Sequence, residues 1–284
     1  MKIINYLLQS ILIYFFFLLG RILGLKLSRK LFSYLFLKIG TFFKSKKTIE
    51  KNLNIFSHKM TDADQKNIVD NMWENYGKTF IEYIFLNSFQ KDSSHIKIVN
   101  EEILLKIKQE AKPVIFISGH FANFELMSME IRKKNVPLAT IYRPLNNIFL
   151  NPFMEYLRKK YVCKYQIKKG INGVRESIEY IKNRYSIALM IDQRVSEGEK
   201  IDFFNQPALT TTLPAQLSIK FNLDIIPVYI ERDQNNNFKI EFQKRIKSED
   251  FNDKKVLTKK LNNILEKMII RNPNQWIWTH NRWK

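Results

Sequence analysis

Residues 114–126 read Val-Ile-Phe-Ile-Ser-Gly-His-Phe-Ala-Asn-Phe-Glu-Leu. The run Val114–Ser118 is apolar and is followed by a glycine, which is typical of a short buried strand. A segment with helical spacing, Asn123–Lys133, follows after a few residues. A buried strand that leads through a short loop into a helix is a building unit of α/β folds. This segment therefore predicts the fold class of the chain.

The same alternation continues on the carboxyl side of this segment. Strands are predicted at Val114–Ser118, Leu138–Tyr142, Tyr161–Ile167, Ile187–Ile191 and Ile225–Ile230. Helices are predicted at Asn123–Lys133, Phe149–Lys160, Gly173–Asn183, Thr212–Phe221 and Asp253–Arg271. Phe238–Phe242 is expected to add an edge strand. Continuous apolar strands between helices predict an α/β fold with a mixed, mostly parallel sheet that is covered by helices.

The amino-terminal region predicts a membrane anchor. No charged residue lies between Lys2 and Arg21, and this apolar stretch is just long enough to span about 30 Å of hydrocarbon. A cleaved signal peptide would require a cleavage site of small residues, and none is obvious. A helix buried in a soluble core is the other alternative. We favour an anchor, spanning or only inserted, because a basic flank follows it.

This flank is basic and amphipathic. Its cations are Arg21, Lys26, Arg29, Lys30, Lys38, Lys44, Lys46, Lys47 and Lys51, opposed only by Glu50. Such a stretch suits an anionic membrane surface, and the positive-inside rule would keep the rest of the chain in the cytoplasm. Thr61 and Asp64 resemble a capping box at the start of a helix. We therefore expect an anchor at 1–25, a juxtamembrane segment at 26–60 and one domain at 61–284.

Composition narrows the partners and cofactors. The net charge of the 284 residues is +20, which implies an acidic partner such as a membrane, an acidic protein or an anionic substrate. Nucleic acid is not expected, since the basic residues are spread along the chain and no recognition motif appears. The four histidines, His58, His95, His120 and His280, lack metal-ligand spacing, and no glycine-rich nucleotide motif is present. We expect no metal or cofactor, and a structural role for the single cysteine, Cys163.

His120 and Glu125 are the candidate catalytic residues. On one continuous helix, five residues place two side chains about 140° apart, so they would not meet. They can meet if His120 lies in the loop and Glu125 in the first turn of the helix, with Asn123 near the helix start. His120 would then be a general base and Glu125 the group that orients it. In the alternative interpretation, His120 is a satisfied histidine at a strand end and Glu125 a solvated helix acid.

Four further blocks in the chain carry more information than this pair. They are Tyr142-Arg143-Pro144-Leu145-Asn146-Asn147, Asp192-Gln193, the segment 203–210 that ends in Thr210, and the carboxyl-terminal segment 275–284. Together with Gly119–Glu125, and in this order, they resemble the lauroyl/myristoyl late acyltransferases of lipid A biosynthesis. The chain departs from the family pattern at Asn205, where a glycine is usual, and at Arg194.

The resemblance implies a glycerolipid-acyltransferase-like fold that carries an amino-terminal anchor in the bacterial inner membrane. It also implies transfer of a fatty acyl group from acyl-acyl carrier protein to a hydroxyl of an anionic lipid A precursor. His120 would deprotonate that hydroxyl while Glu125 holds the imidazole. The residues expected to stabilise the oxyanion or bind substrate are Asn123, Arg143, Arg175, Asp192, Gln193 and Thr210.

Several alternatives remain open. The acceptor could be another membrane glycolipid. The chain could also be a non-catalytic, basic membrane-binding protein, or a histidine-dependent hydrolase. The tryptophans of the carboxyl-terminal block, Trp276, Trp278 and Trp283, suit either a membrane interface or a protein core.

Overall fold

The structure is a computed structural model that describes residues 2–43, 45–57 and 59–284. Lys44, which the sequence places in the basic flank, and His58 lie outside the described residues.

Helix α1 (Lys2–Phe43) has an apolar first part and a basic second part, separated by a kink. The kink lies at Gly24, whose φ of 73° is a left-handed conformation that favours glycine. Ser28 Oγ donates a hydrogen bond to the carbonyl oxygen of Gly20, at 2.8 Å, across the kink. Within the described residues, this is the one helix long and apolar enough to cross a membrane.

The apolar part of α1 has two different faces. One face packs on the protein, with Ser10 and Phe17 buried. The other face carries exposed apolar side chains, namely Ile3, Ile4, Leu7, Leu8, Ile11, Leu12, Phe15, Leu18 and Ile22. An exposed apolar surface of this extent marks a lipid or protein interaction site. This asymmetry makes the helix a possible membrane anchor that also contacts the folded part of the chain.

The basic part of α1 packs on α3 (Asp62–Glu82), and α2 (Lys46–Phe56) also contacts α3. Gly77 of α3 permits this close packing, because a Cβ atom there would lie 2.1 Å from the Phe32 carbonyl oxygen. The predicted capping box at Thr61 and Asp64 is confirmed. Asn52 of α2 donates hydrogen bonds to two carbonyl oxygens of the carboxyl-terminal segment, at 2.8 Å each. These hydrogen bonds tie α2 to the carboxyl-terminal segment of the chain.

The main sheet has seven strands in the described residues. In spatial order they are β1 (Ile96–Val99), β9 (Phe238–Phe242), β8 (Ile225–Arg232), β2 (Ile115–Ser118), β5 (Ser186–Met190), β3 (Leu138–Tyr142) and β4 (Tyr165–Lys168). All neighbouring strands are parallel except β8 and β9. A separate hairpin consists of β6 (Glu199–Phe203) and β7 (Gln206–Thr210). The prediction of a mixed, mostly parallel sheet is confirmed.

Helices cover both faces of this sheet. The remaining helices are α4 (Leu86–Lys91), α5 (Glu102–Glu110), α6 (Glu125–Lys133), α7 (Asn151–Leu157), α8 (Ile171–Lys182), α9 (Leu213–Phe221) and α10 (Lys254–Arg271). The described residues form two hydrophobic cores, and alternate residues of β2 point into one or the other. Phe116 packs with α5 and α6, whereas Ile115 and Ile117 pack with α9 and α10. This double burial explains why the strands lack an apolar–polar alternation.

Two local predictions are wrong, and one strand was not predicted. The strand predicted at Tyr161–Ile167 begins only at Tyr165, because Arg158–Val162 extends α7 as a π-helix. Val162 at the end of the π-helix and Cys163 after it are buried and apolar, as residues of a strand would be. Phe238–Phe242 is a strand but not at the edge, since β1 pairs with its free side. Strand β1 itself escaped prediction because it is short and only half-buried.

The β6–β7 hairpin explains one departure from the family pattern. Asn205 lies in the turn with a φ of 56°, after Phe204 with a φ of 51°. Left-handed conformations in tight hairpin turns favour glycine and asparagine. Asn205 therefore fits the backbone where the family usually has glycine.

Candidate active site

The loop from β2 to α6 carries His120 and is held in a tight conformation. The backbone N–H of Phe121 donates to the carbonyl oxygen of Gly119 at 2.8 Å, so His120 lies at the tip of a three-residue turn. Ala122 follows with a φ of 42°, which is unusual for a residue with a side chain. The backbone N–H of Ala122 donates a hydrogen bond to the Gln275 carbonyl oxygen, and its carbonyl oxygen accepts one from the Thr79 hydroxyl. Strained backbone that is fixed in this way is concentrated at functional sites.

Asp192 is the carboxylate that binds the His120 ring. The distance from His120 Nδ1 to Asp192 Oδ1 is 2.7 Å. The His120 backbone N–H and the Trp276 indole N–H both donate to Asp192 Oδ2, at 2.8 and 2.9 Å. Burial acts to raise the pKa of Asp192, but His120 and these hydrogen bonds outweigh burial and lower it. The carboxylate therefore stays ionised although only 1% of the residue is exposed.

Strand pairing brings these two residues together. Ser118 at the end of β2 is in register with Met190 at the end of parallel strand β5. His120 and Asp192 each lie two residues beyond these positions. Carboxyl ends of parallel strands meet at one edge of a sheet, where α/β proteins bind ligands.

Glu125 has different partners from those expected. The sequence predicts a contact with His120, but the Oε1 atom of Glu125 accepts hydrogen bonds from Arg158 Nε and the Tyr83 hydroxyl, each at 2.7 Å. Arg158 also donates to the Tyr83 hydroxyl at 3.0 Å. The carboxylate that orients the imidazole is thus Asp192, because the turn at His120 directs the ring toward β5.

Both residues that bind Glu125 have raised pKa values. Burial acts to lower the pKa of Arg158, but the oxygens of Glu125 and Tyr83 outweigh it and raise that pKa. Burial raises the pKa of Tyr83. Arg158 is therefore a permanent cation and Tyr83 a neutral phenol, and neither can act as a base near neutral pH.

A cavity of about 300 Å³ lies over these groups. His120, Glu125 and Arg158 line it together with apolar side chains, among them Met127, Val162, Leu189 and Met190. Within the described residues, the second ring nitrogen of His120 has no hydrogen-bond partner, and its side chain is 20% exposed. The arrangement offers an oriented, unoccupied imidazole nitrogen beside an apolar volume, which suits proton transfer on a substrate with a hydrocarbon part.

The other predicted residues separate into two groups. Arg143 and Gln193 line the cavity, and Lys169 joins them. Partial desolvation and the charge of Arg143 lower the pKa of Lys169. The cavity therefore has a cationic side beside its apolar walls.

Asn123, Arg175 and Thr210 lie outside the cavity lining formed by the described residues. Asn123 does not cap α6. Its amide donates instead to the Glu82 carboxylate at 2.9 Å, where it is buried. Arg175 is exposed on α8. Thr210 accepts a hydrogen bond from Arg282 Nη2 at 2.7 Å, so it holds the carboxyl-terminal segment in place.

Glu82 is the centre of a buried ionic cluster behind the His120 loop. Its carboxylate binds Arg29 Nε at 2.7 Å, Arg232 through two nitrogens, and Asn123. Burial acts to raise the pKa of Glu82, but Arg232 and the other donors outweigh burial and lower it. This cluster fixes α1, α3, β8 and the loop that carries His120 relative to one another.

The carboxyl-terminal segment supports the Asp192 side of the cavity. Trp276, Trp278 and Trp283 are buried, so these side chains lie in the core rather than at a membrane interface. His280 Nε2 accepts the backbone N–H of Arg194 at 2.8 Å. Burial lowers the pKa of His280 to about 4, so this imidazole is neutral at neutral pH.

Sequence reasoning missed the roles of Tyr83, Arg158 and Trp276 at this site. Tyr83 and Arg158 belong to no quoted block, and no local signal distinguishes them. Trp276 is part of the carboxyl-terminal block, and its indole N–H requires a partner when buried.

The fold and the site together define an α/β protein with a carboxylate-bound histidine at the strand ends of a mostly parallel sheet. The family of bacterial lipid A biosynthesis acyltransferases matches residues 1–284, and the chain belongs to this family. The family expected from the ordered sequence blocks is thus confirmed. The protein is an acyltransferase of lipid A biosynthesis.

Individual relatives are distant. The chain is 21% identical to lipid A biosynthesis acyltransferase 2 of Shigella flexneri over 241 residues, which cover 83% of this chain and 76% of that protein. Among solved structures, the 1-acyl-sn-glycerophosphate acyltransferase of Thermotoga maritima is similar over 89% of this chain and 100% of that chain, with a TM-score of 0.42 and 12% identity.

Proposed function

We propose that this acyltransferase moves a fatty acyl group from the thioester of acyl-acyl carrier protein to a hydroxyl of an anionic lipid A precursor, at a late step of lipid A biosynthesis. The observation that carries the proposal is the His120 ring. One nitrogen is held by the buried Asp192 carboxylate at 2.7 Å, and the residue lines an apolar cavity. An acceptor hydroxyl and an acyl chain are the two groups that this combination suits.

His120 is the general base in this mechanism. Its unoccupied ring nitrogen takes the proton of the acceptor hydroxyl while the alkoxide oxygen attacks the thioester carbonyl carbon. The tetrahedral intermediate then collapses, the C–S bond breaks, and the leaving thiolate takes the proton from the imidazolium. Asp192 stabilises the positive ring between these two steps and keeps it in the required orientation. No covalent intermediate on the enzyme is required.

Glu125 contributes to the reaction through Arg158 in this proposal. It holds the guanidinium at the cavity wall at 2.7 Å. A fixed cation there stabilises the negative charge that develops on the carbonyl oxygen. Arg143 supplies a second cation at the same cavity. Glu125 is thus a positioning residue whose effect depends on Arg158.

The charges support an anionic acceptor and an acidic donor protein. Arg143 and Lys169 line the cavity beside its apolar walls. Lipid A precursors carry phosphates, and carrier protein is acidic, so both suit a cationic approach. The basic residues after the apolar part of α1 support an inner-membrane location with the catalytic part on the cytoplasmic side.

Complementation tests the proposal directly. The full chain is expressed in a bacterial strain that lacks a late lipid A acyltransferase, and its lipid A is analysed by mass spectrometry. We expect a mass increase of one fatty acyl group with the native chain and none with His120→Ala at an equal level in the membrane. Unchanged lipid A with both chains would contradict the proposal. Acyl transfer by the purified protein is then measured with acyl-acyl carrier protein and with acyl-coenzyme A, which identifies the donor.

A further inference from the structure

A second cavity, of about 600 Å³, lies between the basic part of α1, α3 and the loop that joins β8 to β9. Its lining residues are Leu25, Lys26, Arg29, Lys30, Ser33, Tyr34, Leu37, Glu74, Lys78, Asn235 and Asn236. The residues from α1 lie on one face of the helix, since their spacing follows the helical repeat. None of these residues lines the cavity that contains His120.

The walls of this second cavity carry more positive than negative charge. Lys26, Arg29, Lys30 and Lys78 supply four cations, and Glu74 is the one carboxylate among the described lining residues. Glu74 already has neighbours, because Ser33 Oγ lies 3.4 Å and Lys78 Nζ 3.8 Å from its Oε2 atom. Lys26 and Lys30 form no ion pair within the described residues. An excess of cations around a concave site attracts an anion.

One residue of the cavity wall, Arg29, has a nitrogen atom that lacks an acceptor among the described residues. Arg29 uses Nε to bind Glu82 at 2.7 Å, whereas its Nη2 atom is buried without an acceptor in the described part of the chain. Buried polar atoms are almost always hydrogen bonded, and Arg29 of this cavity wall retains an unused N–H donor.

The surroundings of Lys78 disfavour its charged form. Burial and the nearby Arg232 guanidinium lower the pKa of Lys78, and the carboxylates of Glu74 and Glu82 only partly offset this. A bound anion would supply the missing negative charge.

We infer that this second cavity is a binding site for a phosphate group, which Lys26, Arg29, Lys30 and Lys78 recognise. The group belongs to an anionic phospholipid headgroup or to a soluble phosphate, since both present the same oxygens to cations. The site begins directly after the kink at Gly24, where the apolar part of α1 ends. If that part lies in a membrane, the cavity is at the level of the lipid phosphates.

The test measures binding and is independent of acyl transfer, so its result does not depend on the proposed function. The full-length His120→Ala chain is placed in nanodiscs of phosphatidylcholine and titrated with inorganic phosphate by calorimetry. We expect phosphate binding that is weakened at least about tenfold by Lys26→Gln with Lys78→Gln, since each removes a charge-assisted contact. The matched control is Lys260→Gln with Lys267→Gln, two exposed lysines of α10, which should retain the affinity.

Nanodiscs that also contain phosphatidylglycerol distinguish the two sources. A headgroup that occupies the site reduces phosphate binding in these discs, whereas a site for soluble phosphate is unaffected. Absence of phosphate binding in phosphatidylcholine discs, or equal binding by the cavity variant and the native chain, would overturn the inference. Lys26→Gln alone, at an exposed position, provides the same comparison if the double variant does not fold.

Discussion

Asp192 and Glu125 are two buried carboxylates that bind different residues of one cavity wall. Asp192 accepts hydrogen bonds from an imidazole, a backbone N–H and an indole N–H. Glu125 accepts hydrogen bonds from a guanidinium and a phenol. An imidazole exchanges protons near neutral pH, but a guanidinium does not. The acid nearest to His120 in sequence therefore binds a fixed cation of the cavity wall, whereas the acid 72 residues away binds the imidazole itself.

The largest expected effect is that of His120→Ala. Because this change removes the proposed base, the rate of acyl transfer should fall about 10³–10⁴-fold. The rate is measured with radiolabelled donor and purified precursor, and thermal unfolding serves as the control for folding. A loss of less than tenfold would show that neither carboxylate supports a catalytic imidazole.

Asp192→Asn should give the next largest loss of activity. The amide keeps the size of the side chain, but it cannot stabilise the imidazolium and can favour the wrong tautomer. We expect kcat to fall about 10²–10³-fold, with little change in KM. Glu125→Gln is the paired measurement, and its kcat should fall much less. If Glu125→Gln lost as much kcat as Asp192→Asn, Glu125 would be the orienting group and the comparison would be reversed.

Glu125→Gln should instead destabilise the fold, because it leaves Arg158 buried without its carboxylate. The expected loss in the free energy of unfolding is about 3 kcal/mol. The double variant Glu125→Gln with Arg158→Gln removes both charges and should recover part of this stability. Chemical denaturation of the single and double variants measures the coupling. Additive losses would show that Glu125 and Arg158 do not act as a pair.

The smallest expected effect concerns His280, behind Asp192. Burial lowers its pKa in the folded protein to about 4, whereas an unfolded histidine titrates near 6.5. Between these values the unfolded chain binds a proton that the folded chain does not, so stability falls as the pH falls from about 6.5 to 4. His280→Gln keeps an acceptor for the Arg194 N–H and should reduce this loss. Melting temperatures of both chains at pH 7 and pH 5 provide the measurement, and equal shifts would contradict the assignment.

The sequence predicted the layers of the fold better than the partners within the site. Apolar runs between helices identify a sheet buried on both faces, because that pattern depends only on local burial. The short strand β1 and the π-helix at Arg158–Val162 were missed since neither has a distinct local pattern.

His120 was predicted as a site residue from its block, but the carboxylate that contacts its ring in the structure was not predicted as its partner. The His120–Asp192 contact depends on the register of β2 with β5, which joins residues 72 positions apart. Glu125 is closer in sequence, yet the turn at His120 separates the two side chains. Only knowledge of strand pairing would have identified Asp192 as the orienting group, although the sequence had already marked it as a site residue.

The cluster at Glu82 has a consequence for how the chain is made. Arg232 is synthesised 150 residues after Glu82. At about 5–20 residues per second, Arg232 emerges roughly 8–30 s after Glu82. During that interval, Arg29 is the only one of the two arginines that can neutralise Glu82. The basic part of α1 therefore supplies the first cation that Glu82 can bind and keeps that contact in the finished cluster. Shortening the chain at its amino terminus should consequently impair folding and not only membrane attachment.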